Sequence, residues 1–204
     1  MKKIQNYYEF HLDKYKTGHK AVNWGSKKAQ ETRFEKIIEI ADLKDSSLLD
    51  IGCGLGHFLQ YLDRKKIRCS YKGTDISGKM IHSARKLNFK KKSAFYDCDI
   101  LNKKKNLNFL KSDYVINCGL FTVKSTYTNE QWWSFVRIML VNMFKLSKKG
   151  IAFNLLTDNV DYREKHLFYA SQKKIINFAI NNLNEKIICR RNPKVWENVF
   201  YVYK

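Results

Sequence analysis

Two rhythms of apolar residues alternate along the chain. Short extended runs fall at Leu48–Ile51, Ser70–Thr74, Ser93–Tyr96, Asp113–Cys118 and Ile151–Leu156, and they read as strands. Between them the apolar positions recur at helical spacing. Lys27–Ala41 aligns Ala29, Phe34, Ile37, Ile38 and Ala41, and Phe58, Leu59 and Leu62 give the next helix its face. Lys79–Leu87, Gln131–Leu146 and Ala170–Leu183 are further helices, the first capped by Ser77 or Gly78. Two late runs, Lys186–Cys189 and Val199–Val202, have only Arg190–Asn198 between them, so they pair as a hairpin and the last strand is antiparallel. The pattern predicts an α/β fold: a seven-stranded, mostly parallel sheet with helices on both faces. Residues 1–26 are aromatic, polar and weakly periodic. With the first helix they make an N-terminal helical cap or lid over residues 1–44. Residues 45–204 form the body, and the two make one compact unit.

Polar residues collect where the strands end. Asp50, Asp75, Asp99 and the pair Cys118-Gly119 close the first four strands, at the edge of an open α/β sheet where ligands bind. After the first strand the chain runs Gly52-Cys53-Gly54-Leu55-Gly56 into a helix. Glycines there let the backbone approach a ligand and leave N–H groups free at the helix start. The third glycine comes one place too early for the dinucleotide fingerprint G-x-G-x-x-G. A pyrophosphate gains nothing from Asp50 at the strand mouth, whereas an ammonium or sulfonium gains a counter-charge. Asp75 suits a ribose diol.

These residues carry a resemblance. Leu48–Gly56 resembles the first motif of class I S-adenosylmethionine-dependent methyltransferases, and Gly73-Thr74-Asp75-Ile76-Ser77 with Met80 resembles the second. Asp97-Cys98-Asp99-Ile100 is similar to the third, and Asp113–Gly119 to the fourth. The resemblance implies a Rossmann-like body that binds S-adenosyl-L-methionine and releases S-adenosyl-L-homocysteine. Gly52, Cys53 and Gly54 would then lie at the cofactor. Asp75 would hold both ribose hydroxyls, Ile76 and Met80 would pack on adenine, and Asp99 and Ile100 would contact adenine. Cys118 and Gly119 would lie beside the methionyl portion. The segment His19–Ser26, with Gln30 and Arg33, resembles the N-terminal cap of small bacterial methyltransferases. It implies cofactor contact by Trp24, Gln30 and Arg33, with Arg33 suited to the methionyl carboxylate.

Composition narrows the partners. The net charge of +20 invites nucleic acid, but lysine outnumbers arginine 31 to 8, and the arginine fork is the commoner tool for specific phosphate contact. The clusters Lys90–Lys92 and Lys103–Lys105 fall between elements, where a charge run is solvated. A small-molecule acceptor is therefore the leading expectation, and RNA the alternative. A non-catalytic cofactor-binding partner subunit and an NAD-linked oxidoreductase rank below both. The five cysteines are scattered and form no C-x-x-C pair, so neither a disulfide framework nor a metal site is expected. No run of about 18 apolar residues and no signal-like N-terminus is present, which predicts a cytoplasmic, non-membrane protein.

Methyl transfer from a sulfonium is an in-line displacement that needs alignment in a dry site and no metal; a base is needed only where the acceptor must lose a proton. His19, in the lid, is the favoured candidate, followed by Tyr8 and His11, which lie three apart on one helix face. Tyr7, Phe121 and His166 are candidates to line the acceptor pocket. Asp158 and Asp161, after the fifth strand, could hold a cationic acceptor. Asn117-Cys118-Gly119-Leu120 stands where adenine- and glutamine-directed enzymes carry Asp/Asn-Pro-Pro-Tyr/Phe, and no Pro-Cys pair follows the fourth strand. These absences lean toward an N or O acceptor on a small molecule.

Overall fold

The fold is that of a computed structural model, which describes residues 1–87, 93–102, 104 and 106–204. Its elements, in chain order, are α1 (Lys2–Tyr15), α2 (Lys27–Ile37), β1 (Ser47–Ile51), α3 (His57–Arg64), β2 (Ser70–Asp75), α4 (Gly78–Arg85), β3 (Ser93–Asp97), β4 (Ser112–Asn117), α5 (Asn129–Leu146), β5 (Ser147–Thr157), β6 (Tyr169–Ala170), α6 (Gln172–Asn182), β7 (Ile187–Asn192) and β8 (Glu197–Tyr203). Four helices start on hydroxyl caps. Ser26, Ser77, Thr128 and Ser171 each accept from a backbone N–H in the first turn, and Thr128 completes a reciprocal capping box with Gln131.

The strands form one sheet in the order β3-β2-β1-β4-β5-β8-β7, with β6 added against β5. β1 to β5 pair in parallel, and β8 is antiparallel to both β5 and β7. This is the expected mostly parallel Rossmann-like sheet with its late hairpin. The short β6 is an eighth strand, in a stretch whose apolar residues read as the start of a helix.

Strict alternation along the strands splits the core in two. Leu49, Ile51, Val115, Ile151, Phe153 and Phe200 face α5 and α6. Leu48, Ile116, Ala152, Val199 and Tyr201 face the other way, onto Phe34 and Ile37 of α2, Phe58 and Leu62 of α3 and Ile81 of α4. A third, small cluster joins the cap to the body, with Leu12 and Ala21 packed on Leu55 and Met80. Polar ties reinforce it: Ser77 Oγ donates to Glu9 Oε1 at 2.7 Å, and Lys79 Nζ lies 2.9 Å from Asp13. The lysines at 90–92, 103 and 105, expected as solvated runs, lie outside the described residues. Among the described residues no helix is long and apolar enough to cross a membrane.

Candidate active site

The carboxyl ends of β1, β2 and β4, with the cap above them, enclose a cavity of about 490 Å³. The glycine turn forms its floor. Gly52, Gly54 and Gly56 all have positive φ (75°, 52° and 75°), which the turn requires. Leu120 and Val22 roof it so closely that an added Cβ would lie 3.2 Å from Leu120 at Gly52 and 3.1 Å from Val22 at Gly54. Some N–H groups of the turn are taken up within the fold, while no side chain caps the N–H groups at the start of α3. Gly52 and Cys53 both donate to the Thr74 carbonyl, because β2 runs alongside and closes the turn.

Asp75, at the end of β2, faces the cavity. Its Oδ2 accepts from Gly54 N at 3.0 Å and its Oδ1 from Ser77 N at 2.9 Å, which leaves lone pairs on both oxygens for a vicinal diol. Burial raises its pKa, and the backbone hydrogen bonds partly offset that. Ile76, Met80, Asp99 and Ile100 continue the same wall. Residues from β2 and β3 thus supply carboxylates on one side. On the β4–β5 side the wall is Val123, Phe135, Met139, Leu156 and Leu167, with His166 as its imidazole.

A chain of buried polar contacts sets the remaining wall. Gly119 N donates to Asn154 Oδ1 (2.8 Å), and Asn154 Nδ2 donates to Glu197 Oε2 (2.6 Å). Arg33 Nε and Nη2 both lie 2.7 Å from Glu197 Oε1, and the guanidinium stacks on Trp24 at 4.5 Å. Trp24 in turn lies over Gly119, where an added Cβ would come within 2.6 Å of the indole. Glu197 is fully buried; desolvation raises its pKa against the pull of Arg33.

The cavity gathers Gly52, Gly54, Asp75, Ile76, Met80, Asp99, Ile100, Cys118, Gly119, Trp24, Arg33, Tyr8 and His166 from the expected set. Nine residues of the expected set lie elsewhere. Asp50 is not at the mouth. It shares the face of Leu48, beneath the sheet end, where the Tyr71 hydroxyl donates to it at 2.6 Å. Burial pushes its carboxyl up to about 7. Cys53 is buried against Gly73 rather than the cavity, and burial raises its thiol pKa. Phe121 is packed in the core between Phe135 and Phe153, because the chain turns at Gly119 (φ 89°) and presents Leu120 instead. Gln30 points away, with its amide 3.2 Å from His57 Nδ1, and His19 shares that outer recess. His11 Nδ1 donates to the Tyr7 carbonyl at 2.9 Å, and Tyr7 Oη accepts from Asn23 at 2.7 Å; neither residue lines the cavity. Asp158 and Asp161 do not line it either.

Arg33 does line the cavity, but its Nε, Nη1 and Nη2 already contact Glu197 and the Ala29 carbonyl. The missed lining residues include Met1, Ile4 and Gln5. With Tyr8 they fall at helical spacing on α1, a periodicity present in the sequence but diluted by surrounding polar residues. Burial, followed by the charges of Tyr7 and Asp75, raises the Tyr8 phenol far above its ordinary pKa, so it stays protonated near neutrality. Among the described residues no group of three or more His, Cys, Asp and Glu side chains is gathered to hold a metal ion.

Fold and site together define an α/β protein with a cavity across the strand ends of its parallel sheet. Residues 49–140 match a family model described as a methyltransferase domain. A Mycobacterium tuberculosis protein provisionally assigned as methyltransferase Rv1506c is 25% identical over 172 residues, 83% of this chain and 98% of that one. The structure of magnesium protoporphyrin IX methyltransferase from Synechocystis PCC 6803 is similar, with a TM-score of 0.69 over 98% of both chains at 14% identity. The 1,6-didemethyltoxoflavin-N1-methyltransferase of Burkholderia thailandensis gives 0.67 over 98% of this chain and 87% of its own, at 10% identity. Residues 49–140 thus carry the likeness to a methyltransferase domain, and the whole chain shares the fold of S-adenosylmethionine-dependent methyltransferases.

Proposed function

We propose that the enzyme methylates a nitrogen or oxygen of a small, largely apolar acceptor by in-line displacement without a metal. The observation that carries this reading is the division of the cavity: carboxylates and glycines on the β2–β3 side, apolar side chains on the β4–β5 side. Its lining charges are Arg33, already paired with Glu197, against Asp75 and Asp99. That balance suits a cationic sulfonium and an uncharged acceptor, and does not suit a phosphate backbone. The neighbours named above act on magnesium protoporphyrin IX and 1,6-didemethyltoxoflavin, small molecules in both cases.

When bound, S-adenosyl-L-methionine supplies an electrophilic methyl on a sulfonium and leaves as S-adenosyl-L-homocysteine. The free lone pairs of Asp75 would hold the ribose diol, and Asp99 with Ile100 and Met80 would hold the adenine. Cys118 and Gly119, beneath Trp24, would border the methionyl end. Val123, Phe135 and Met139 position the acceptor and exclude water, so that alignment supplies much of the acceleration. His166 is the imidazole placed to take a proton from an acceptor that must lose one.

Incubating the enzyme with methyl-labelled cofactor and a metabolite extract, then reading labelled products by mass spectrometry, tests the acceptor class. A labelled small product is expected; label in RNA alone overturns the reading. Asp75→Ala should abolish cofactor binding in a calorimetric titration. With a hydroxyl acceptor, His166→Asn should lower kcat by about 10²-fold while cofactor affinity holds.

A further inference from the structure

The cap has a second working face. Val22, Asn23 and Trp24 look into the cofactor cavity, while Lys16, His19, Lys27 and Gln30 line a separate recess of about 260 Å³ that is closed by His57 and Arg64 of α3. The two spaces share no lining residue.

The recess is electropositive. Its cations are Lys16, Lys27 and Arg64, and its one acid is Glu31, so three positive charges less one negative leave +2. Glu31 is already shared: Arg64 Nη2 lies 2.6 Å and Lys27 Nζ 3.9 Å from the same oxygen. Lys16 has no ion pair among the described residues. Buried donors sit behind these charges. The Gln30 amide donates to His57 Nδ1, so the neutral ring keeps its proton on Nε2. Burial, and then the charges of His19, Arg64 and Lys27, lower the pKa of His57 to about 4.

We propose that this recess is a binding site for a phosphate dianion, either free or as a monoester, and that its occupancy clamps the cap over the cofactor cavity. Two charges match the excess of +2. Lys16 and Lys27 flank the segment that carries Val22, Asn23 and Trp24, and Arg64 belongs to the body, so one bridging anion fastens both ends of that segment. Lys16, where the segment leaves α1, holds a positive φ (60°, ψ −49°) that a lysine keeps only where surrounding contacts impose it, whereas Asn23 (58°) is in the left-handed region that asparagine tolerates.

The test uses the purified full chain at constant ionic strength. Inorganic phosphate and glycerol 3-phosphate are titrated separately by calorimetry, and hydrogen exchange is followed over residues 16–26 without cofactor. Saturable binding of one anion per chain with slowed exchange in the cap is expected. The stronger of the two ligands identifies free phosphate or a phosphorylated metabolite as the source. Saturating anion should tighten S-adenosyl-L-homocysteine binding by roughly five-fold or more. Lys16→Gln/Lys27→Gln, which changes two exposed side chains, should lose anion binding and the slowed exchange while its homocysteine-adduct affinity in phosphate-free buffer matches wild type. Absence of saturable binding, equal binding by the double variant, unchanged cap exchange or unchanged adduct affinity each overturns the proposal. So does displacement of the anion by a short RNA oligonucleotide with steep salt dependence, which assigns the recess to a nucleic-acid track. A chain that binds anion and slows its cap but never binds the adduct leaves this site standing and overturns the proposed function instead.

Discussion

Asp50 stabilises the strand end as a neutral or shared-proton group rather than as a counter-charge. Its side chain lies with those of Leu48 and Tyr71, because alternate residues of β1 and β2 point to the same face of the sheet. Burial moves its pKa from about 3.9 in the unfolded chain to about 7 in the fold. The folded state therefore binds the proton more tightly, and the group's stabilisation is complete below pH ~4 and lost as pH rises through ~7. Asp50→Asn should flatten the fall in Tm between those limits, and the difference between the two proteins should grow by at most about 1.4 kcal/mol per pH unit. Tyr71→Phe removes the hydroxyl that donates to Asp50 and should cost about 1–3 kcal/mol at pH 7 by calorimetry. Gly119 makes a different demand. Its φ of 89° and the indole of Trp24 above it leave no room for a methyl group. Gly119→Ala should cost at least about 1–2 kcal/mol from the backbone alone, and should weaken cofactor binding by displacing Trp24.

Helix α2 is held to the sheet by Arg33, whose partner Glu197 belongs to β8 and whose stacking partner Trp24 belongs to the cap. Removing one member of a buried pair leaves the other uncompensated, so Arg33→Ala should cost about 3–5 kcal/mol, and Arg33→Met/Glu197→Leu should recover much of it. A double-mutant cycle read by chemical denaturation checks this. The pairing joins residues 164 positions apart, and nothing in the local pattern signals it. Other parts of the site were legible in advance. Asp75 ends β2 and Asp99 follows β3 by two residues, and a charge closing an apolar run is visible without knowing the fold. Phe121 and Leu120 were not distinguishable, because the turn at Gly119 resets the alternation that would have sorted them. The face of Asp50 needed Leu48 placed against α2 and α3 before its burial could be seen. Gln30 likewise needed His57, which α3 brings to the outer side of the cap.

At the scale of the molecule, the described lysines behind the net charge of +20 are absent from the cavity, whose charged side chains are Arg33, Asp75 and Asp99. Most of the described lysines face solvent, where like charges repel and destabilise the compact state. Screening shortens that repulsion: the Debye length falls to about 10 Å at 0.1 M salt. Raising sodium chloride from about 0.05 to 0.2 M should therefore raise Tm. Over the same range, kcat/KM for an uncharged acceptor should stay nearly flat, since neither the apolar wall nor the Asp75 contacts release counterions. A substrate held through six to ten phosphates would lose about 10³–10⁵ in affinity. Measuring both quantities in one salt series separates a surface that is merely basic from one that reads nucleic acid. A rising Tm with a collapsing kcat/KM would place the acceptor on the lysine surface instead of in the cavity.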